Sequence, residues 1–280
     1  MHTFKDLMRP PAGMAFDFSQ PIGEPALAPS DGVIWRVLAN PVSLFIGGVA
    51  AVLLELAEPS MRSGIWDHSS FQRDPAMRLR RTGFAAMMTV YGPRSATEQL
   101  IAKVVRMHAG IKGSTPEGVA YKANDPRLLK WVHATASFGF TEAYNTYVEN
   151  LSPGEKDLAF AEAEPAAKLY GAGGAPRSWA AWEELLEATS PQLVGSDVLA
   201  EFVKIMGEAS ILPVRMRYIQ RLLVRAAVQI VPEPVRSFSQ LRGCGLRFGE
   251  TPLVRAMGRA VSLMPLGDTP PERAARRLAN

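Results

Sequence analysis

At 280 residues, 47% of them hydrophobic, the chain can bury a large core, which excludes a disordered polypeptide and allows one large domain or two small ones. The net charge of +4 comes from 31 basic and 27 acidic residues that are interspersed throughout, so no basic stripe points to nucleic acid. A single cysteine, Cys244, excludes an intrachain disulfide and a cysteine-rich zinc or iron–sulfur site, and fits a reducing compartment.

The first residues lack the basic, apolar and small-residue succession of a secretory signal, so the expected location is cytoplasmic. Pro10, Pro11, Pro21, Pro25 and Pro29 break regular helix and predict an extended arm over residues 1–30. Beyond Asp31 the pattern is helical. Asn40 and Pro41 supply an N-cap and a first-turn proline for a helix over 42–57, which Pro59 ends or redirects. The apolar run 43–57 is interrupted by Glu55 and falls short of the roughly 20 residues that span a bilayer, so it reads as a buried helix. No transmembrane segment is expected, which leaves peripheral membrane contact open.

Asp74 and Pro75 repeat the cap for a helix over 76–91, closed by Gly92 and Pro93, and Ser95 starts another that runs to about 110. Asp125 and Pro126 cap a third, to about 149, and Ser152 and Pro153 a fourth over 154–169. A Gly-rich loop precedes the helix capped by Ser178, and helices over 193–211, 214–230 and 251–264 follow. Alternating β-branched runs are nearly absent, so a sheet is not expected. These features predict an all-α fold with one globular domain over residues 31–264 and a basic surface tail over 265–280 (Arg273, Arg276, Arg277).

Among residues able to carry chemistry, Ile101, Val104, Val105, His108 and Ile111 recur at the spacing of one helical face, which turns His108 inward. Such a histidine is either a hydrogen-bonded core residue or an axial iron ligand. Arg78, Arg81 and Thr82, at i, i+3 and i+4, share a side of their helix and run into the apolar stretch 83–88. Guanidinium and hydroxyl groups at a core boundary suit an anionic cofactor edge or activated oxygen. Trp131, Thr135 and Phe138 share a face from which His133 points away, and His68 falls in a loop before the arginine helix. There is no nucleophile elbow, P-loop, zincin helix or dinucleotide-binding fingerprint, and no spacing of a facial iron triad.

Taken together, several stretches resemble the MpaB and rubber-oxygenase (latex clearing protein) family over roughly residues 40 to 230. They are 53–59, 66–71, Asp74-Pro75 leading to Arg78, Arg81 and Thr82, Tyr91-Gly92, His108 followed by Lys112-Gly113, Tyr121 with Asp125-Pro126, and 131–135. The resemblance implies a mostly helical, globin-like domain that binds haem b and, in characterised members, uses O₂ to cleave isoprenoid double bonds. It makes His108 the proximal iron ligand and Arg78, Lys112 and His133 further cofactor-binding candidates. Arg81, with Glu58 or Thr82, would stabilise or protonate the activated oxygen. Arg81 stands where rubber oxygenases carry a lysine that can approach iron, and a guanidinium is a poor metal ligand. Glu58 stands where many relatives have a histidine before the proline. The implied function is a haem b oxygenase taking O₂ and a small apolar, isoprenoid-type substrate. A haem sensor or carrier, and a peroxidase-like oxidoreductase, are the alternatives.

Overall fold

Helix α2 (Pro41–Ala57) is the axis around which the molecule packs. Asn40 starts it, its side-chain oxygen accepting from Val42 N at 2.9 Å and Ser43 N at 3.1 Å. Apolar on almost every side, α2 is buried along nearly its whole length, as such a helix must be. Its main partner is α6 (Pro126–Tyr147). The two backbones touch where Gly47 meets Gly139: a Cβ on Gly47 would sit 2.6 Å from Gly139 O, so only glycine permits the crossing. Trp131 on α6 locks the register by donating its indole N–H to Leu54 O at 3.2 Å.

In the computed structural model, residues 8, 10, 14–264 and 267–279 are described, and they form one mostly helical domain. Helices α9 (Asp197–Glu208) and α10 (Arg217–Ile230) cover a further side of α2. Helix α12 (Glu250–Leu263) closes the end of α6, with Arg255 Nε donating to Thr146 O at 3.0 Å. A second group of core side chains joins α1 (Val33–Leu38), α4 (Pro75–Tyr91) and residues of the N-terminal arm. Helix α5 (Arg94–His108) follows α4, α7 (Pro153–Tyr170) packs on α1 and α6, and α8 (Trp179–Thr189) seats Trp182 against Trp131 and Phe138.

The structure departs from the sequence reading in four places. Pro59 begins a helix, α3 (Pro59–His68), in which Glu58 is the N-cap and His68 the last residue rather than a loop residue. The helix expected over 193–211 is shorter: residues 193–196 are an extended link, in which Val194 N donates to Ala57 O at 2.8 Å, and only α9 is helical. A short antiparallel hairpin, β1 (Lys112–Ser114) and β2 (Ala120–Lys122), stands where no strand was expected. The tail holds α13 (Pro270–Ala279); α11 is the single turn Glu233–Arg236. Arg277 on α13 is fully buried and donates to Phe18 O at 2.7 Å and Glu24 O at 2.8 Å, clasping the arm to the body. The arm itself carries no α-helix over 14–30, and the remainder of the expected segment lies, apart from Met8 and Pro10, outside the described residues.

Among the described residues no single helix is long and apolar enough to cross a membrane. Helices α2 and α3 together reach the length but bend by 112° at Glu58.

Candidate active site

The cavity of interest opens between α2, α4 and α9 and has about 70 Å³ of space open to a water-sized molecule. That is well below the roughly 300–1,000 Å³ usual for small-molecule sites, so a ligand larger than a few atoms would need the lining side chains to move. On α2, Leu44, Phe45, Gly48, Val49, Val52 and Glu55 line it, a stripe at successive helical turns. Phe140 from α6, Phe202 and Met206 from α9, and Ile211 complete an apolar wall. The polar groups are few: Glu55, Arg78, Arg80 and Thr82.

Glu55 retains only the exposure the cavity gives it. Burial pushes its carboxyl up to about 7, against the pull of the Arg78 charge and of a hydrogen bond from Thr135. Thr135 is fully buried, and the single proton of its hydroxyl is shared between Glu55 and Val132 O, the latter at 3.0 Å. Arg78 on α4 is half-buried at the cavity edge. Burial lowers its pKa, the Glu55 charge raises it and the neighbouring Arg81 charge lowers it, but a guanidinium remains protonated throughout. Arg78 donates through Nη1 to the Thr82 hydroxyl, which in turn donates to Arg78 O at 3.0 Å. One turn of α4 thus fixes a cation at the edge of an apolar space, opposite a carboxylate that titrates near neutrality.

His108 is the last residue of α5 and is half-buried. A helix C-terminus favours the imidazolium. Burial, and secondarily the Arg78 charge, outweigh it and lower the pKa, which favours the neutral ring. Its side chain has no hydrogen-bond partner among the described residues. It does not itself line the cavity; Arg78 lies between the two environments. The face that carries it is shallow, since Ile101 is buried while Val104 and Val105 are only partly so.

The other candidates lie elsewhere. Glu58 is buried, accepting from Met61 N at 2.6 Å and from Arg127 at 2.9 Å, so both its oxygens are engaged outside the cavity wall. Arg81 is exposed on α4 beside Arg78. Lys112 is exposed at the start of the hairpin. His133 packs against Tyr170 of α7, ring centroids 5.2 Å apart, on the flank of α6 away from the cavity, and burial lowers its pKa to about 4. His68 bonds the Tyr121 hydroxyl at 3.1 Å, tying α3 to the hairpin.

Residues 35–263 match the family described as ER-bound oxygenase mpaB/B′/rubber oxygenase, catalytic domain. The chain belongs to this family. No curated protein and no solved structure matches it. Membership in the MpaB and rubber-oxygenase family gives it an enzymatic role of oxygenase type.

Haem is the cofactor associated with that family, and the donor chemistry fits it. Among the described residues no three His, Cys, Asp or Glu side chains gather as a metal-binding group, whereas porphyrin-held iron asks for as little as one axial imidazole. His108, whose side chain has no hydrogen-bond partner among the described residues, has the chemistry of such a donor, and Arg78, whose charge reaches it, that of a cation for an anionic cofactor edge.

Thr135 lies in the motif stretch 131–135, whereas Glu55 enters the sequence reading only as the charge that interrupts the apolar run 43–57. Glu55 stands out in sequence as the lone charge in an otherwise apolar 17-residue helix. Its position three residues after Val52 and seven after Gly48 places it on the cavity stripe.

Proposed function

We propose that the protein is a haem b-dependent oxygenase acting on a small apolar substrate, with isoprenoids as the first class to test. The observation that carries this reading is a carboxylate and a guanidinium, Glu55 and Arg78, lining one mostly apolar cavity. Buried charges without hydrophobic advantage mark functional sites.

In this reading His108 would hold the haem iron, and haem, when bound, would supply the O₂ chemistry. Arg78, fixed by Thr82, holds positive charge where an anionic group or developing negative charge would sit. Glu55, rather than Glu58, is the proton-handling carboxylate: with its pKa at about 7 it can take or give a proton at its carboxyl oxygen near neutral pH. Leu44, Val52, Phe140 and Phe202 exclude water and select apolar molecules. Arg81 acts on Arg78 through its charge.

The test is an absorption spectrum followed by turnover. Purified protein loaded with haem should show a Soret band, and ferrous protein given O₂ with geranyl or farnesyl compounds should consume O₂ and yield carbonyl products. Haem binding without O₂ consumption on any apolar substrate, with ready release of haem to an acceptor, would identify a carrier instead.

A further inference from the structure

Helix α2 is buried at all but three of its positions. Gly48, Val52 and Glu55, at i, i+4 and i+7, keep partial exposure, and all three line the cavity, so the one uncovered stripe of the central helix is the cavity wall. Helix α4 brings a second glycine, Gly83, to the same space. It lies one turn beyond Leu79, which lines the cavity and packs against the main core, and residues one turn apart share a helical face. Gly48 and Gly83 are the two lining positions without a side chain.

Neither glycine is forced by packing or by the backbone. Gly47, next to Gly48, cannot carry a side chain, because a Cβ there would sit 2.6 Å from Gly139 O. A Cβ on Gly48, by contrast, would meet only the edge of the Phe140 ring, at 3.8 Å, and one on Gly83 would meet nothing within 4 Å. Both residues are inside α-helices and neither has a positive φ. Glycine is among the poorest residues for a helix interior, since it gives up the most chain entropy on folding. Two such positions therefore cost the fold stability and leave space on two walls of one cavity. Where only about 70 Å³ is open to a water-sized molecule, a methyl group on either wall would take up a substantial part of it. A longer ligand has to displace side chains such as Leu44 and Met206, and at the two glycines none has to move.

The glycines and the charged pair mark different stretches of this cavity. Along α2, Gly48 is two turns from Glu55, about 10 Å; along α4, Gly83 is five residues from Arg78, about 7–8 Å. Between them the wall is apolar, with Val49, Val52 and Leu79. We infer that Gly48 and Gly83 are specificity-determining positions: the slot they leave takes the apolar chain of the substrate, about two helical turns from the group presented to Glu55 and Arg78, and limits the width of chain that enters. The substrate clause rests on the function proposed above; uptake of an apolar chain at the two glycines stands on the cavity alone.

The experiment is calorimetric titration of the full chain with farnesol, a methyl-branched chain, and with dodecanol, a straight chain of the same length, together with the melting temperature of each variant. Wild type should bind at least one of the two. Gly48→Ala and Gly83→Ala should each weaken that binding by about ten-fold or more, because one carbon more or less in an apolar pocket changes affinity by about 10–200-fold. Their melting temperatures should hold or rise, by about 1–3 °C, as expected where alanine fits a helical glycine position. Gly83→Leu, which fills the open space, should abolish binding. Gly64→Ala is the matched control: Gly64 is inside α3 and off the cavity wall, and its added Cβ would meet the Tyr121 ring at 3.6 Å and 3.9 Å, so binding should equal that of wild type. The two readouts move in opposite directions, whereas a glycine kept for packing would lose stability when replaced. Wild type that takes up neither chain overturns the inference, as does Gly83→Leu binding like wild type or a fall in melting temperature in either cavity alanine variant. Chain binding is read without reference to haem. Binding that the glycine variants lose, in a protein without a Soret band, therefore sinks the proposed function alone. A Soret band with turnover undiminished in Gly48→Ala and Gly83→Leu sinks the slot alone.

Discussion

Two histidines on consecutive long helices show how little burial alone says about function. His133 on α6 is the deeper and the more perturbed, with a pKa lowered to about 4, yet burial is the whole cause and Tyr170 is its ring neighbour. His108 on α5 is only half-buried, but it feels the charge of Arg78, which in turn feels Glu55. A perturbed pKa with desolvation as its single cause describes packing. A smaller perturbation shared with a chain of charged groups along a cavity describes a site.

The largest expected effect breaks that comparison outright if the assignment is wrong. His108→Ala should yield protein with little bound haem, whereas His133→Ala should keep most of it; Soret absorbance per protein measures both. The opposite pattern would move the iron to the α6 flank and make Tyr170 part of the cofactor site.

Next in size is the loss of the proton-handling carboxylate. Glu55→Gln keeps the shape of the neutral acid but cannot ionise, so turnover should fall by about 10²–10⁴ with haem content unchanged. In wild type, a role for Glu55 as base would show as activity rising through a pKa near 7, and as acid by activity falling through it. Glu58→Gln, by contrast, should act on stability, because it weakens the α3 cap and the contact to Arg127.

Much of this arrangement is legible in the sequence where local chemistry decides it. Asn40-Pro41, Asp74-Pro75, Asp125-Pro126 and Ser152-Pro153 mark the starts of α2, α4, α6 and α7, and in each the cap side chain accepts a backbone N–H of the first turn. Helix α3 is missed because its cap is a glutamate, outside the usual set, and Pro59 reads as a terminator. The break before α9 and the burial of Arg277 depend on partners more than a hundred residues away, Ala57 and Phe18, and no window of sequence contains both ends. In the site, Arg78 and Thr82 meet because they are one turn apart. Glu55 meets Thr135 only through the α2–α6 crossing, which two distant glycines permit, and meets Arg78 only because the fold brings α4 to α2.

The same histidine contrast has a signature in stability. The folded-state pKa of His133 lies below the ordinary 6.5, so the unfolded chain binds more protons in between. Stability is therefore full above pH 6.5 and is lost as pH falls toward 4, by on the order of 3 kcal/mol. Glu55 works in the other direction. Its folded-state pKa lies above the ordinary 4.5, so its contribution is full below pH 4.5 and is lost as pH rises through about 7. Thermal melts across pH should show His133→Phe flattening the acid side and Glu55→Gln the neutral side. Equal flattening of the acid side by His108→Ala would mean that the two rings are buried alike and would blur the contrast.

The smallest effect is expected at the arginine that the motif sets beside Arg78. Arg81 is exposed, forms no ion pair among the described residues, and reaches the site only through its charge on Arg78. Arg81→Ala should change stability by less than about 0.5 kcal/mol, the range of an ordinary surface substitution. Its effect on turnover should be a few-fold, and it should weaken with salt, because an exposed charge is screened over a Debye length of about 8 Å at physiological ionic strength. Arg78→Ala should be far more damaging: it removes the cation that faces Glu55 and the partner of Thr82. Steady-state rates for the two variants at low and high salt, with haem occupancy measured in each, decide the matter. If Arg81→Ala proved as damaging as Arg78→Ala at high salt, the exposed arginine would have to turn inward during turnover, and α4 would present a different face to the cavity from the one described.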